Sequence, residues 1–325
     1  MKVHILDDWF DTLRGLPCFS RLGGHDVTVW TDHEPDPVRL ADRVQAAEVI
    51  VLFRERTAVT ADLLARLPHL KLISQRSVYP HIDVDACTRH GVLLCSNMHS
   101  GTPSYAAAEH TLALILASYR QIPEQVSSIK AGRWQAGVGR TLRGRTLGLY
   151  GYGRIGRAVA GYAQAMGVAV QWWGSEAGRA RAAADGAHVP ESRRAFFESS
   201  DVVSLHVRLK PETQGIITSA DLASMQDGAL FVNTSRSGLV AEGALEEEIA
   251  RGRIFAAVDV FDTEPLRDPS HLLLTHKNVL PTPHIGYVTE DEFDLQFADI
   301  FDQVNAYADG QPIHMINPEV WEGQG

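Results

Sequence analysis

Three side chains in this sequence have the types and setting to do chemistry: Arg236 in FVNTSRSG, Glu264 in VDVFDTEP and His284 in LPTPHIG. Each follows an apolar run that reads as a strand, and open α/β sheets place their chemistry at strand ends facing the crevice. An arginine presents a planar fork to a carboxylate and stays charged at any working pH. A histidine oriented by a carboxylate can take up and return a hydroxyl proton near neutrality. Together they suit hydride chemistry beside a carboxylate. Taken singly, a surface arginine, a helix-capping glutamate and a hydrogen-bonded core histidine account for the same letters.

A second pattern supplies a partner for such chemistry. RTLGLYGYGRIGRAVAGYAQAMG carries Gly151, Gly153 and Gly156 in GxGxxG spacing, after an apolar strand and opening a helix with a small-residue face. The first glycine permits the tight turn, the second lets backbone approach a pyrophosphate, and the third lets helix and strand pack closely. Amides at the helix start then face the phosphates, with Arg154 and Ile155 inside the loop. The next strand end, VAVQWWGSEAGR, has Gly174 where an acidic residue usually grips the ribose hydroxyls. Ser175, Arg179 or Arg181 could meet a 2′-phosphate there, whereas Glu176 turned inward would bind a ribose and repel the phosphate. NAD(H) and NADP(H) both stay open.

Other chemistries find no motif. GxxxxGK[ST], HExxH and GxSxG are absent, and Glu109-His110 lacks the further histidine of an inverted zinc motif. No metal is expected. Cys18, Cys87 and Cys95 form no CxxC pair and are expected only to pack, as suits a reducing compartment.

The elements that must position these residues alternate between short β-rich runs and helical patterns, the signature of parallel βα units. KVHIL, DVTVW, EVIVLF, LKLIS and VLLCS make five strands in the first hundred residues; LGLYG, VAVQWW, VVSLHV, LFVNT, FAAVDVF and NVLPT make six more. Between the sets, TPSYAAAEHTLALILASYR reads as a long helix capped by Thr102 with Pro103 in its first turn. Phe293, Phe297, Ile300, Phe301, Val304 and Tyr307 recur at helical spacing and predict a core-facing helix that ends near Gly310. Glu246 to Glu248 reads as a solvated helix face.

A length of 325 residues suits two domains. The formal charge of −10 argues against nucleic-acid binding, and no apolar run is long enough to span a membrane. MKVHILDDWF reads as a first strand with no secretory pattern, so a cytoplasmic location is expected.

In order along the chain, LISQRSVYPHIDVDACTRHGV, GYGRIG, DVVSLHVRLKPETQGII, VNTSRSGLV, AAVDVFDTEPL and TPHIG resemble the D-isomer-specific 2-hydroxyacid dehydrogenase family over nearly the whole length. The resemblance implies an α/β protein of two doubly wound parallel-sheet domains. A Rossmann NAD(P)-binding domain, residues 100–287, is inserted into a flavodoxin-like substrate domain, residues 1–99 plus 288–325. It implies that Arg236 binds the substrate carboxylate and carbonyl oxygen, that His284 exchanges the hydroxyl proton, and that Glu264 holds His284. Reduction of a keto acid is then expected to favour mildly acidic to neutral pH and oxidation alkaline pH.

By the same resemblance, Ser77 and Val78 offer backbone amides to the substrate carboxylate, and Asp259 meets the nicotinamide carboxamide; a strand-end aspartate satisfied by backbone amides is its plainer reading. His206 and Thr234 fall on the cofactor side. Arg54 and Arg56 either line the substrate cleft or sit solvated in a loop. Trp134 falls in a region of dimer contacts, although core packing explains it more simply, and a homodimer acting on a small 2-keto acid or D-2-hydroxy acid is expected. Two departures from the family pattern are Tyr287 after TPHIG and Arg208 in VSLHVRLKPET. A cofactor-sensing corepressor and a formate- or phosphite-type dehydrogenase remain alternatives on the same scaffold.

Overall fold

The computed structural model describes residues 1–98 and 105–322. Two compact units divide the chain, Met1–Pro103 with Val288–Gly325, and Ser104–Tyr287. Each is an α/β unit built on one parallel sheet. The expected helix cap Thr102 and its neighbour Pro103 lie outside the described residues.

The first unit carries β1 (Lys2–Ile5), β2 (Asp26–Val29), β3 (Val49–Val51), β4 (Leu72–Arg76) and β5 (Leu93–Asn97) in the order β2-β1-β3-β4-β5, all parallel. This is the flavodoxin-like order. Ile50, Ile73 and Leu94 point into one apolar cluster with Leu63, Leu67 and Cys87. The helix Glu290–Ala308 covers other strand residues: Phe297 packs 4.8 Å from Phe53, and Ser74 donates to the Ile300 carbonyl at 2.9 Å. Phe293, Phe297, Ile300, Phe301 and Val304 are all buried on that helix. Removing each phenylalanine from water is worth about 1.5–3 kcal/mol, so the helical spacing of the aromatic face is the reason this segment folds back onto β4.

The second unit carries β6 (Thr146–Tyr150), β7 (Ala169–Trp173), β8 (Val202–Leu205), β9 (Leu230–Asn233), β10 (Phe255–Val258) and β11 (Val279–Pro281) in the order β11-β10-β9-β8-β6-β7. All pairings are parallel. Both faces are covered, which is why the strands read as continuous apolar runs. Leu230 and Val232 pack with Leu114 and Ile115 of the helix Ala106–Arg120 and with Val159 of the helix Arg154–Ala165, while Phe231 turns to Leu222, Leu245 and Ile249. Beyond β7 the chain continues with an irregular edge, where Trp172 donates to the His188 carbonyl at 2.9 Å.

Two expectations are corrected by this packing. Glu248 is buried, not solvated, with Arg253 at 2.8 Å and Arg251 at 3.1 Å. The helical step of 100° turns it inward while Glu247 stays exposed, and two guanidinium groups offset the cost of burying its charge. Trp134 is 74% exposed and belongs to no core. Cys18, Cys87 and Cys95 are free and buried, and burial pushes each thiol up to about 12, so all three are unreactive packing residues. No helix among the described residues is long and apolar enough to cross a membrane.

Candidate active site

The glycine loop lies between β6 and the helix Arg154–Ala165, next to β8, where the strand order reverses. Gly151 has φ +120°, and a Cβ there would sit 2.4 Å from the His206 carbonyl oxygen. Gly156 lies so close to the turn that its Cβ would meet the Gly151 oxygen at 2.9 Å. Gly153, the helix N-cap, is less crowded, since a Cβ there would lie 3.9 Å from the His206 carbonyl oxygen, and it supplies no side chain to the helix amides. Those amides and the positive end of a 12-residue helix fit a pyrophosphate, the group that the motif implies. His206 walls this loop; burial lowers its imidazole to about 4, and Ser204 Oγ lies 3.0 Å from Nε2.

The end of β7 is built from backbone and arginine. Gly174 has φ +145°, a conformation that a side chain adopts only under strain. Ser175 caps the helix Glu176–Ala184 by accepting from the Gly178 amide at 3.2 Å. Arg179 stacks on the Trp173 ring at 4.4 Å and donates to the Gly174 carbonyl. Its charge is thereby held at the strand end, while Glu176 is exposed in the first helical turn and Arg181 is exposed on the same helix.

His284 Nδ1 lies 2.6 Å from Glu264 Oε2, and Phe261 donates its amide to Glu264 Oε1 at 2.9 Å. Burial pushes the Glu264 carboxyl up, but the His284 hydrogen bond and charge, the Phe261 amide and the field of Arg236 together hold it below the usual carboxylate range. Glu264 is therefore an ionised acceptor for Nδ1–H, which fixes the tautomer and leaves Nε2 for a reacting group. Arg236 is anchored by its own loop: Asn233 Nδ2 donates to the Arg236 carbonyl at 2.9 Å, and Arg236 Nη1 donates to the Ser235 carbonyl at 2.7 Å. Tyr287 meets the His284 ring edge to face, 5.6 Å between centroids, so this departure from the family pattern packs directly on the imidazole.

His284 has φ +54°, which costs a non-glycine residue on the order of 1–2 kcal/mol. Such strain persists only where the surroundings over-determine it. Asp259, 1% exposed at the end of β10, does so: it accepts from the Ile285 amide at 2.9 Å, the Gly286 amide at 2.8 Å and the Thr282 hydroxyl at 2.5 Å. His110 Nε2, from the helix Ala106–Arg120, lies 3.2 Å from both Thr282 Oγ1 and Asp259 Oδ1. Burial pushes the Asp259 carboxyl up, and these hydrogen bonds bring it below the usual range. Thr234 sits one step away, its hydroxyl 2.8 Å from that of Thr111.

His110 is the residue that sequence reasoning passed over. It appeared only in a failed zinc motif, although an imidazole within an otherwise alanine- and leucine-rich helix is itself a signal of a buried polar partner.

In the first unit, Ser77 follows β4 with φ +80° and Arg54 follows β3 with φ +59°. The Ser77 amide donates to the Asn97 carbonyl at 3.1 Å, so it extends the sheet; the Val78 amide has no such partner among the described residues. Arg56 is not solvated: its guanidinium lies between the Trp9 ring at 4.0 Å and the Phe53 ring at 4.1 Å, with Nη1 donating to the Asp7 carbonyl at 2.6 Å. Ring faces favour that cation, so the half-buried Arg56 guanidinium is held against them. Among the described residues no group of three or more His, Cys, Asp or Glu side chains could hold a metal ion.

Comparison with known proteins shows the family. Residues 112–286 match the family model for the D-isomer specific 2-hydroxyacid dehydrogenase, NAD binding domain. A D-3-phosphoglycerate dehydrogenase of Mycobacterium leprae is 37% identical over 300 residues, 90% of this chain and 55% of that protein, so the chain spans about half the length of that relative. A glyoxylate reductase of Aeropyrum pernix is 33% identical over 310 residues, 91% of each. The crystal structure of a candidate D-3-phosphoglycerate dehydrogenase from Ralstonia solanacearum superimposes with a TM-score of 0.94 at 44% identity, covering 99% of this chain and 98% of that one.

Proposed function

The chain belongs to the D-isomer-specific 2-hydroxyacid dehydrogenase family, and from that premise we propose that it interconverts a small 2-keto acid and the corresponding D-2-hydroxy acid. The observation that carries the reading is the 2.6 Å contact of His284 with Glu264 in the field of Arg236. A bound nicotinamide dinucleotide supplies hydride to substrate C2 in reduction and accepts it in oxidation. The protein's share is binding, orientation and proton transfer. Arg236 offers its fork to the substrate carboxylate and polarises the carbonyl oxygen. As hydride adds to C2, the carbonyl oxygen takes the proton from His284 Nε2; His284 becomes neutral and is reprotonated from solvent. In oxidation the same nitrogen removes the hydroxyl proton. Glu264 stabilises the imidazolium in both directions.

Gly151, Gly153, Arg154, Ile155 and Gly156 form the pyrophosphate cradle in this reading, with His206 and Thr234 beside it. Gly174, Ser175 and Arg179 form the adenosine-ribose end, which favours a 2′-phosphorylated cofactor. A glyoxylate reductase that matches over 91% of both lengths supports a short substrate. A cytoplasmic location belongs to the same proposal, supported by three free, unpaired thiols.

The deciding assay mixes the protein with glyoxylate, hydroxypyruvate, pyruvate and phenylpyruvate, each with NADH and separately with NADPH, and follows loss of nicotinamide absorbance. Turnover of at least one short keto acid is expected, faster at pH 6 than at pH 8 because reduction consumes a proton. If all four acids are inert although the dinucleotides bind, the 2-keto-acid reading fails.

The proposal extends to a homodimer. Ile122, Val126 and Ile129 lie on one face of the helix Ile122–Lys130 and are exposed, as are Trp134 and Val138, the latter at 90%. Such a run of apolar side chains on one segment suits contact with a second copy. Light scattering is expected to give a dimer mass for the native chain and a monomer mass for the Ile129→Asp, Trp134→Ser double variant. A monomeric native chain rules the dimer out.

A further inference from the structure

We propose that Asp259 and His110 are positioning residues, which act on the reaction by clamping the turn that carries His284. The inference rests on the reading of His284 as the acid-base group. A carboxylate offers about four acceptor positions, and that of Asp259 accepts from three donors, the Thr282 hydroxyl at 2.5 Å, the Ile285 amide at 2.9 Å and the Gly286 amide at 2.8 Å, while His110 Nε2 lies 3.2 Å from its Oδ1 and from Thr282 Oγ1. These donors bracket His284 on both sides in sequence. The turn they close is continued from the sheet, since the Thr282 amide donates to the Val258 carbonyl at 2.9 Å and the His284 amide to the Thr282 carbonyl at 3.0 Å.

Gly286 permits this closure. A Cβ at that position would sit 3.0 Å from Asp259 Oδ2 and 3.5 Å from His110 Cδ2. Because Thr282 spends its hydroxyl proton on Asp259, its oxygen is free to accept from His110, which assigns the Nε2–H tautomer to His110. The order of the network is therefore His110 to Thr282 to Asp259, with the two amides after His284 closing it. Loosening either end frees the left-handed backbone of His284 to relax and swings Nδ1 away from Glu264. Misplacement of about 1 Å is enough to cost about 10²-fold in rate.

The test compares Asp259→Asn, His110→Leu and His110→Gln with the native protein by three readouts: steady-state kinetics, dinucleotide affinity by fluorescence titration, and the downfield proton resonance of the His284 Nδ1–H, identified by its loss in His284→Asn. Asparagine at position 259 keeps one acceptor oxygen but turns an NH2 group toward either the Ile285 amide or the Gly286 amide, which removes one of the two bonds. It is expected to lower kcat about 10²-fold and abolish or shift the resonance, with dinucleotide affinity unchanged within about twofold. His110→Leu should shift the resonance and lower kcat about tenfold, and His110→Gln, which keeps a donor, should recover most of both. A resonance that stays put in Asp259→Asn and His110→Leu overturns the proposal. So does an Asp259→Asn protein that loses dinucleotide affinity tenfold with the resonance intact, since that marks a cofactor contact. If Asp259→Asn does not fold, the His110 pair decides. Should the native protein reduce no acid, the resonance still reads the turn, so failure of the functional reading and failure of the clamp are separate results.

Discussion

Replacing His284 with asparagine is expected to lower kcat for keto-acid reduction by about 10²- to 10⁴-fold while dinucleotide affinity stays within about twofold. Asparagine keeps hydrogen-bonding capacity toward Glu264 but carries no proton that it can give up near neutrality. With no general acid at position 284, the pH dependence of reduction should flatten in the variant. Glu264→Gln is expected to lower kcat less, by about 10- to 10²-fold, because the imidazole survives and only its tautomer and charge lose support.

The acid side of the profile follows from Glu264. Its carboxyl is held below the usual carboxylate range in the folded protein, so the interaction with His284 is present above the unfolded value. It is lost only as pH falls through the lowered folded value. Acid inactivation should therefore track unfolding rather than neutralisation of Glu264 in the native state. Retention of most native activity by His284→Asn would falsify the assignment of the proton to this residue, and a proportional loss of dinucleotide binding would move it to the cofactor.

Strands were legible because each is an apolar run bounded by turn residues, and a strand buried on both faces needs nothing more. LGLYG, LFVNT and NVLPT fall within a residue of β6, β9 and β11. The helix Glu290–Ala308 was legible from aromatic spacing alone. Local motifs also exposed Arg236, Glu264, His284 and the glycine loop, since each combines a residue type with a strand end.

What could not be read depends on contacts across long separations. The clamp joins His110 to Asp259 and Thr282, and no local period connects these positions. The Ser77 amide looked available until the Asn97 carbonyl took it, and Arg56 looked solvated until Trp9 and Phe53 closed on both sides. Glu248 was one charge of three in a row, and only the helix phase with Arg253 placed it inside. Trp134 departs in the other direction, because an aromatic residue reads as core while the structure leaves this one exposed. Local grammar writes the elements and the strand-end chemistry; side-chain partners belong to the tertiary structure.

Cofactor choice turns on the end of β7, where a second large effect is expected: NADPH should bind more tightly than NADH, and Arg179→Ala should weaken NADPH about 10- to 10²-fold with NADH changed less than about threefold. Gly174 removes the usual acid for a backbone reason, since φ +145° is strained for any side chain. The acid is therefore not restored by a neighbouring rotamer. Glu176 is the one nearby carboxylate that could oppose a phosphate, but it is exposed in the first turn of its helix, where the helix dipole already favours its charge. Arg179, by contrast, is held by the Trp173 ring and the Gly174 carbonyl, so its charge is fixed at the strand end before any ligand arrives. A fixed charge pays little ordering entropy on binding, and a unit charge about 4 Å from a phosphate is worth on the order of 1–4 kcal/mol. That range corresponds to roughly tenfold or more in affinity. Fluorescence titration of both reduced cofactors with the native and Arg179→Ala proteins measures it directly. Equal affinities for NADH and NADPH in the native protein, unchanged by the substitution, would instead mean that Arg179 only packs on Trp173. A preference for NADH that Glu176→Gln abolishes would mean that Glu176 reaches the ribose.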